Sequence, residues 1–217
     1  DYNMVENTCL QIILEFVENG TLKDIIKHFG CLPEILASKY ARKILKGIEY
    51  IHSQSILHRD LKCANILTTK DGQCKIADFG VAIKLKPGSD VDEEKDAAGT
   101  TYWMAPEVFL EQRTSKASDI WSFGCTVMEL LTGSPPYRKL EKQVAVCKII
   151  EEECPPFPMD ISEELEHFLK LCFAKDPSKR HTATQLLSHP WIKENFQRVR
   201  TKSKDSSCRD LSDVLAD

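Results

Sequence analysis

Between His58 and Asn65 the chain reads His-Arg-Asp-Leu-Lys-Cys-Ala-Asn, which places a proton acceptor, a cation and an amide within six residues. Those three groups suit phosphoryl transfer. Asp60 can accept the proton of an attacking hydroxyl, and Lys62 can neutralise charge on the phosphate in transit. Asn65, five positions after Asp60, offers a neutral oxygen to Mg²⁺. A charged triplet alone usually just faces water. The full spacing is more specific, and two further motifs follow it in order, Asp78-Phe79-Gly80 and Ala105-Pro106-Glu107.

Regular elements must bring these motifs together. Residues 9 to 17 alternate, with Leu10, Ile12, Leu14 and Phe16 on one face, which predicts a strand. The stretch up to Val5 is its candidate partner, with Glu6-Asn7-Thr8 as the turn. Asn19-Gly20 breaks the strand, and Thr21-Leu22-Lys23-Asp24 reads as a capping box that starts a short helix. Pro33 suits a first helical turn. From there Ala37, Ala41, Ile44, Leu45, Ile48 and Ile51 share one stripe. That helix is given a structural role, its Tyr and His residues none, and it delivers the chain to His58.

Ile66-Leu67 and Cys74–Ala77 flank a hairpin turn at Lys70-Asp71-Gly72-Gln73. Asn65 and Asp78 therefore sit at the two ends of one hairpin, so ligands thirteen positions apart can converge. Residues 84 to 98 are polar and acidic and predict a flexible, functional loop. Ala117 to Thr132 is apolar nearly all round, the mark of a buried helix, with Ser118 or Asp119 as cap and Gly133 as stop. Further helices are predicted at 141–151 and 162–174, and a capping box at Thr182–Gln185. Residues 197–217 read as a polar linker or tail, in which Leu211, Val214 and Leu215 could form a short docking helix.

The composition excludes several classes. A net charge of -4 over 217 residues gives no reason to expect nucleic acid as a partner. The nine cysteines form no C-x-x-C pair, which favours reduced thiols in a cytoplasmic protein over zinc clusters or a disulfide framework. No apolar run approaches a membrane span, and no signal peptide is visible. A nucleotide hydrolase would carry G-x-x-x-x-G-K-[ST], and no such loop occurs. Oligomeric state is left open.

With HRDLKCANIL, ADFGVA, AGTTYWMAPEV and SDIWSFGCTVMELLTGSPP in place, the chain resembles a eukaryotic protein kinase over about residues 9 to 192. It is similar to Ser/Thr kinases of the MAP kinase kinase kinase type, in the STE group. The resemblance implies an α+β protein-kinase-like fold. This would be mainly the helical C-terminal lobe, with short β hairpins and a remnant of the N-terminal lobe sheet. Residues 1–18 would be remnant strands and hinge, 19–196 the C-lobe and 197–217 the tail. ATP and Mg²⁺ are implied, with Asn65 and Asp78 as metal ligands.

The substrate would be a protein, and another kinase if the closer likeness holds. Leu14 would be the gatekeeper, Glu15 and Val17 would present backbone groups to adenine, Leu67 would form its floor, and Asp24 would lie near the ribose. His58 and Phe79 would stack in the core behind the site, next to Gly80. Asp119 would hold the backbone of the His58-Arg59 turn, Arg180 would pair with Glu107, and Thr100 would bond near Asp60 and Lys62. Lys62 and Gly99-Thr100 fit Ser/Thr rather than Tyr specificity.

Two departures matter. The activating phosphosite of the family lies four residues before Thr100, where this chain has Asp96. Asp96 is expected to give Arg59 a weaker permanent charge in place of a phosphate, the alternative being one more solvated acid in an acidic run. Asp96→Ala should then lower the activity of the full-length protein, and unchanged activity would discard the idea. Ser89, Thr101 and Thr114 are alternative modification sites.

The second departure is that no G-x-G-x-x-G, strand Lys or partner helix Glu precedes the hinge, since only fourteen residues come before Glu15. This fits a C-terminal piece of a working kinase whose upstream residues are not included, and alternatively an inactive kinase-derived binding module. The isolated chain is expected to show no measurable phosphate transfer, because positioning and electrostatics supply nearly all of this catalysis.

Overall fold

The computed structural model describes residues 2–5, 9–12, 15–86, 88–92, 99–110 and 113–193. In chain order they form β1 (Tyr2–Val5), β2 (Cys9–Ile12), α1 (Leu22–Phe29), α2 (Glu34–Ser53), β3 (Ile56–Leu57), β4 (Ile66–Thr68), β5 (Cys74–Ile76), β6 (Ile83–Lys84), β7 (Val91–Asp92), α3 (Pro106–Leu110), β8 (Thr114–Ser115), α4 (Lys116–Thr132), α5 (Lys142–Glu151), α6 (Glu163–Cys172) and α7 (Ala183–Leu187). The strands make separate antiparallel pairs, β1–β2, β3–β6, β4–β5 and β7–β8. The described residues form an α+β, mostly helical fold, as the resemblance implies.

Helix α4 is the centre of the core. Ile120, Trp121, Phe123, Cys125, Val127, Met128 and Leu130 are all buried, so the helix has no solvent face for most of its length. Trp121 meets Phe173 edge-on at 5.0 Å and Phe123 meets Phe168 at 6.1 Å, geometries in which a ring edge faces a ring plane. The α2 stripe of Ala37, Ala41, Ile44, Leu45 and Ile48 belongs to the same core.

Local signals set most boundaries. Thr21 and Thr182 each accept the N3 amide and receive the reciprocal side chain, as their sequences predict. Gly133 ends α4 in the left-handed conformation. The cap of α4 differs from the reading above: Ser115 takes it, with Ser118 answering as the N3 partner. Two serines three apart can fill either role, and this choice leaves Asp119 free to reach outside the helix.

The strand predicted over 9–17 is shorter as well. Its ladder ends where Ile12 faces Tyr2, and Glu15, Phe16 and Val17 run unpaired. Phe16 is 83% exposed, so alternation alone did not give it a core to face. The acidic loop is not wholly irregular, because Val91 and Asp92 pair with Ser115 and Thr114. The tail lies outside the described residues.

Next to the C-terminal end of α7, His189 makes a pH-sensitive contact. Its Nδ1 accepts the amide of Trp191 (3.2 Å), so the ring hydrogen sits on Nε2, 2.8 Å from His167 Nδ1. Burial, followed by the neighbouring His167 and His181, holds the His189 pKa down at about 4 from 6.5. The lowered folded-state value means the unfolded chain takes up the proton first as pH falls. Stability contributed by His189 is therefore full above about 6.5 and is lost towards about 4. The unfolding midpoint should drop across that window, and His189→Asn, which keeps an acceptor for Trp191, should flatten the slope. Equal slopes in both proteins would contradict this.

Candidate active site

The His58–Asn65 stretch leaves β3 through a tight turn in which Arg59 has φ +68°, uncommon for a residue with a side chain. Asp119 holds that turn. Its Oδ2 accepts the His58 amide at 3.0 Å and its Oδ1 accepts the Arg59 amide at 2.9 Å. His52 Nε2 lies 2.8 Å from the same Oδ2, so a histidine given no role from sequence helps fix this carboxylate.

Asp119 begins a row of polar residues, with Ser122, Thr126 and Glu129, on a largely apolar helix. Ser122 donates to the carbonyl of Trp103 (2.7 Å), and the Thr126 hydroxyl lies between the carbonyls of Ser122 (2.8 Å) and Leu61 (3.3 Å). Glu129 accepts the Cys63 amide (3.1 Å) and Lys23 Nζ (3.0 Å). The spacing of 119, 122, 126 and 129 follows one helical face. That periodicity was readable, and it would have identified Glu129 and Thr126, which the sequence reading missed.

On this support the chemical residues form a closed knot. Lys62 Nζ donates to Asp60 Oδ2 (2.7 Å) and to Thr100 Oγ1 (2.8 Å), and Thr100 Oγ1 donates to Asp60 Oδ1 (2.5 Å). Asn65 Nδ2 donates to Asp60 Oδ2 (2.9 Å) and to the Asp60 carbonyl (2.8 Å). Burial pushes the Asp60 carboxyl pKa up. The hydrogen bonds from Lys62 and Thr100, the Lys62 charge and the Asn65 bond outweigh burial and hold it below the usual carboxylate value. An ionised carboxylate has about four acceptor sites, and three are used here, so one on Oδ1 stays available to a substrate hydroxyl.

The hairpin β4–β5 sets the other wall. Ile66 faces Ile76, and the Ala77 amide donates to the Asn65 carbonyl (2.9 Å), which brings Asp78 next to Asn65 along the ladder. Ala77 is held from the opposite side by His58 Nε2 at 3.0 Å. Asp78 adopts φ +63°, and its Oδ1 would stand 3.2 Å from a Cβ on Gly80, so a side chain at 80 would crowd the carboxylate.

With Nδ2 spent on Asp60, Asn65 has Oδ1 left to offer a ligand, and Asp78 adds a carboxylate. Such a sparse oxygen pair fits Mg²⁺, which keeps several waters and uses one or two carboxylates plus substrate phosphates. Among the described residues no group of three or more His, Cys, Asp or Glu could form a dedicated cage.

Several of the remaining expected nucleotide contacts neighbour the β4–β5 hairpin, where Leu67 faces Lys75. Leu67 is half-buried and bridged to Thr21. Asp24 is committed to the cap of α1, with Oδ2 2.9 Å from the Thr21 amide. Glu15 pairs through its side chain with Lys75 at 2.8 Å, and Val17 lies in the unpaired stretch before α1. Leu14 lies outside the described residues. Phe79 meets His58 edge-on at 4.9 Å but is 45% exposed, so only its inner side packs and it is not a core residue.

Arg59 donates from Nε to the Val81 carbonyl (2.5 Å) and lies 3.7 Å from Asp92. Asp92 was not singled out from sequence; it reaches Arg59 because β7 pairs with β8. Asp96 lies outside the described residues. Gly99 has φ +130°, and a Cβ there would meet the Arg59 carbonyl at 2.7 Å, so glycine is required where the segment crosses the catalytic turn. Thr114 is 4% exposed, too buried to serve as a modification site in this conformation. The segment's far end is anchored by Arg180, whose two terminal nitrogens meet the two oxygens of Glu107 at 2.7 and 3.1 Å.

A helical half-domain that presents this knot beside a metal-fitting hairpin has the architecture of a phosphotransferase lobe. The chain matches the protein kinase domain over residues 2–192. It is 48% identical over 204 residues to cell division control protein 7 of Schizosaccharomyces pombe, covering 94% of this chain and 18% of that protein. It is also 48% identical over 201 residues to MAP3K epsilon protein kinase 2 of Arabidopsis thaliana, covering 92% and 15% respectively. Identity to cytokinesis protein sepH of Emericella nidulans is 50% over 183 residues, covering 84% and 13%. The chain belongs to the protein kinase family. It spans less than a fifth of the length of these relatives.

Proposed function

We propose that the protein carrying this chain transfers the γ-phosphoryl group of ATP to Ser or Thr hydroxyls of a protein substrate. The observation that supports this is the knot of Asp60, Lys62, Asn65 and Thr100. Asp60 orients the attacking hydroxyl through its free Oδ1 site and takes its proton. Lys62 stands beside both Asp60 and Thr100, where it offsets charge on the group being moved. Asn65 and Asp78 would hold Mg²⁺, which when bound neutralises phosphate charge and aligns the chain of phosphates. Leu67, Leu14, Glu15, Val17 and Asp24 are the proposed nucleotide contacts. Arg59, with Asp92 3.7 Å away, is the proposed anchor of the activation segment, and Asp96 is the other proposed partner of Arg59.

The substrate we favour is another kinase in a MAP kinase cascade, on the strength of the MAP3K epsilon relative. A cytoplasmic location is supported by the seven free cysteines at 31, 63, 74, 125, 147, 154 and 172. No helix among the described residues is long and apolar enough to cross a membrane. Incubating the full-length protein with Mg²⁺, labelled ATP and a panel of candidate kinases should label Ser and Thr and not Tyr. Label on Tyr alone, or none that depends on Mg²⁺, would reject the proposal.

A further inference from the structure

Beneath the catalytic turn lies a narrow, partly open space that phosphoryl transfer does not use. It has about 10 Å³ of room and is lined by Arg59, Met104, Val108, Thr114, Asp119 and Ser122 among others. Thr114 is 4% exposed, and its hydroxyl has no hydrogen-bond partner among the described residues. A buried hydroxyl left unmet is unfavourable, and structures generally satisfy such groups with protein or ordered water.

We propose that this cavity is a binding site for one ordered water. The space matches a single water and is far too small for an organic ligand. The wall carries one cation, Arg59, and one carboxylate, Asp119, so its charge favours neither a bound anion nor a bound cation. The Thr114 hydroxyl donates to the water. Asp119 Oδ1 holds one N–H, that of Arg59, and keeps a lone pair. Ser122 gives its own hydrogen to the carbonyl of Trp103, so towards the cavity it can only accept. The water therefore donates to Asp119 and Ser122, for three bonds in all, the usual number for a buried water. It ties β8, and through the ladder β7 with Asp92, to the turn that presents Asp60. The anchor of the activation segment and the catalytic turn thus share a hydrated joint.

Thr114→Val tests this by sign. It keeps the shape and branching at β8 and removes only the hydroxyl. With a resident water, the variant strips a partner from it and the unfolding midpoint falls. In a dry cavity, the variant removes an unmet donor and the midpoint rises, which would overturn the proposal. Thr114→Ser should keep the water, so a high-resolution crystal structure should show a density peak within hydrogen-bond distance of residue 114 Oγ in the parent and in this variant. An empty cavity in the parent, or a peak with the anomalous signal of an ion, would also overturn it.

Discussion

Asp60→Asn in the full-length protein is expected to lower phosphate-transfer turnover by about 10²–10⁴-fold, the range typical of a positioned general base. The knot explains why so small a change is so damaging. Asp60 accepts from Thr100 on one oxygen and from Lys62 and Asn65 on the other. An amide has one acceptor oxygen, and its NH₂ would face at least one of those donors across a distance suited to a hydrogen bond. The variant also lacks the charge that Lys62 balances, and its amide cannot take a proton at neutral pH. The loss should fall on kcat, with KM for ATP little changed, because none of the proposed adenine contacts involves Asp60. Steady-state kinetics with varied ATP separates the two, and unaltered turnover would take Asp60 out of the chemistry.

Arg180→Ala should cost the fold about 3–5 kcal/mol, since it leaves the Glu107 carboxylate buried without its partner. Arg180 has no exposed side-chain surface and Glu107 has 8%. Arg180 also donates to the carbonyls of Ala117 and Ala174 and lies 5.1 Å from the Trp121 ring centre. One side chain thus joins α3, the start of α4 and the loop after α6. Against a total stability of about 5–15 kcal/mol, the loss is large. It should lower the unfolding midpoint by roughly 10 °C. Arg180→Lys should rescue little, because an ammonium cannot span both carboxylate oxygens and two carbonyls as a guanidinium does. A denaturant titration showing a loss below about 1 kcal/mol, the range of a surface pair, would refute this account.

Local physics was legible from the chain alone. Capping boxes at Thr21 and Thr182, the all-round apolar α4 and the β4–β5 hairpin follow from spacing within a few residues, and the structure reproduces them. The strand at 9–17 was over-extended because alternation reports a tendency, while a ladder needs a partner. Ser115 displaced Ser118 as the α4 cap because both can serve and only the geometry of the whole turn decides.

The sequence by itself determined which groups meet across short distances along the chain: Asp60, Lys62 and Asn65 lie on one loop, and Asn65 and Asp78 on one hairpin. Beyond the pairs that the family resemblance implies, tertiary structure alone decided the long-range partners. Glu129 on the Cys63 amide, His52 on Asp119 and Asp92 beside Arg59 come from pairs separated by 66, 67 or more than thirty positions. A local pattern can mark the polar face of α4 but not its partners, because a polar residue on a buried helix can be satisfied by any of many distant groups. Which one it meets is fixed only when the packing of α2 and α4 places their backbones.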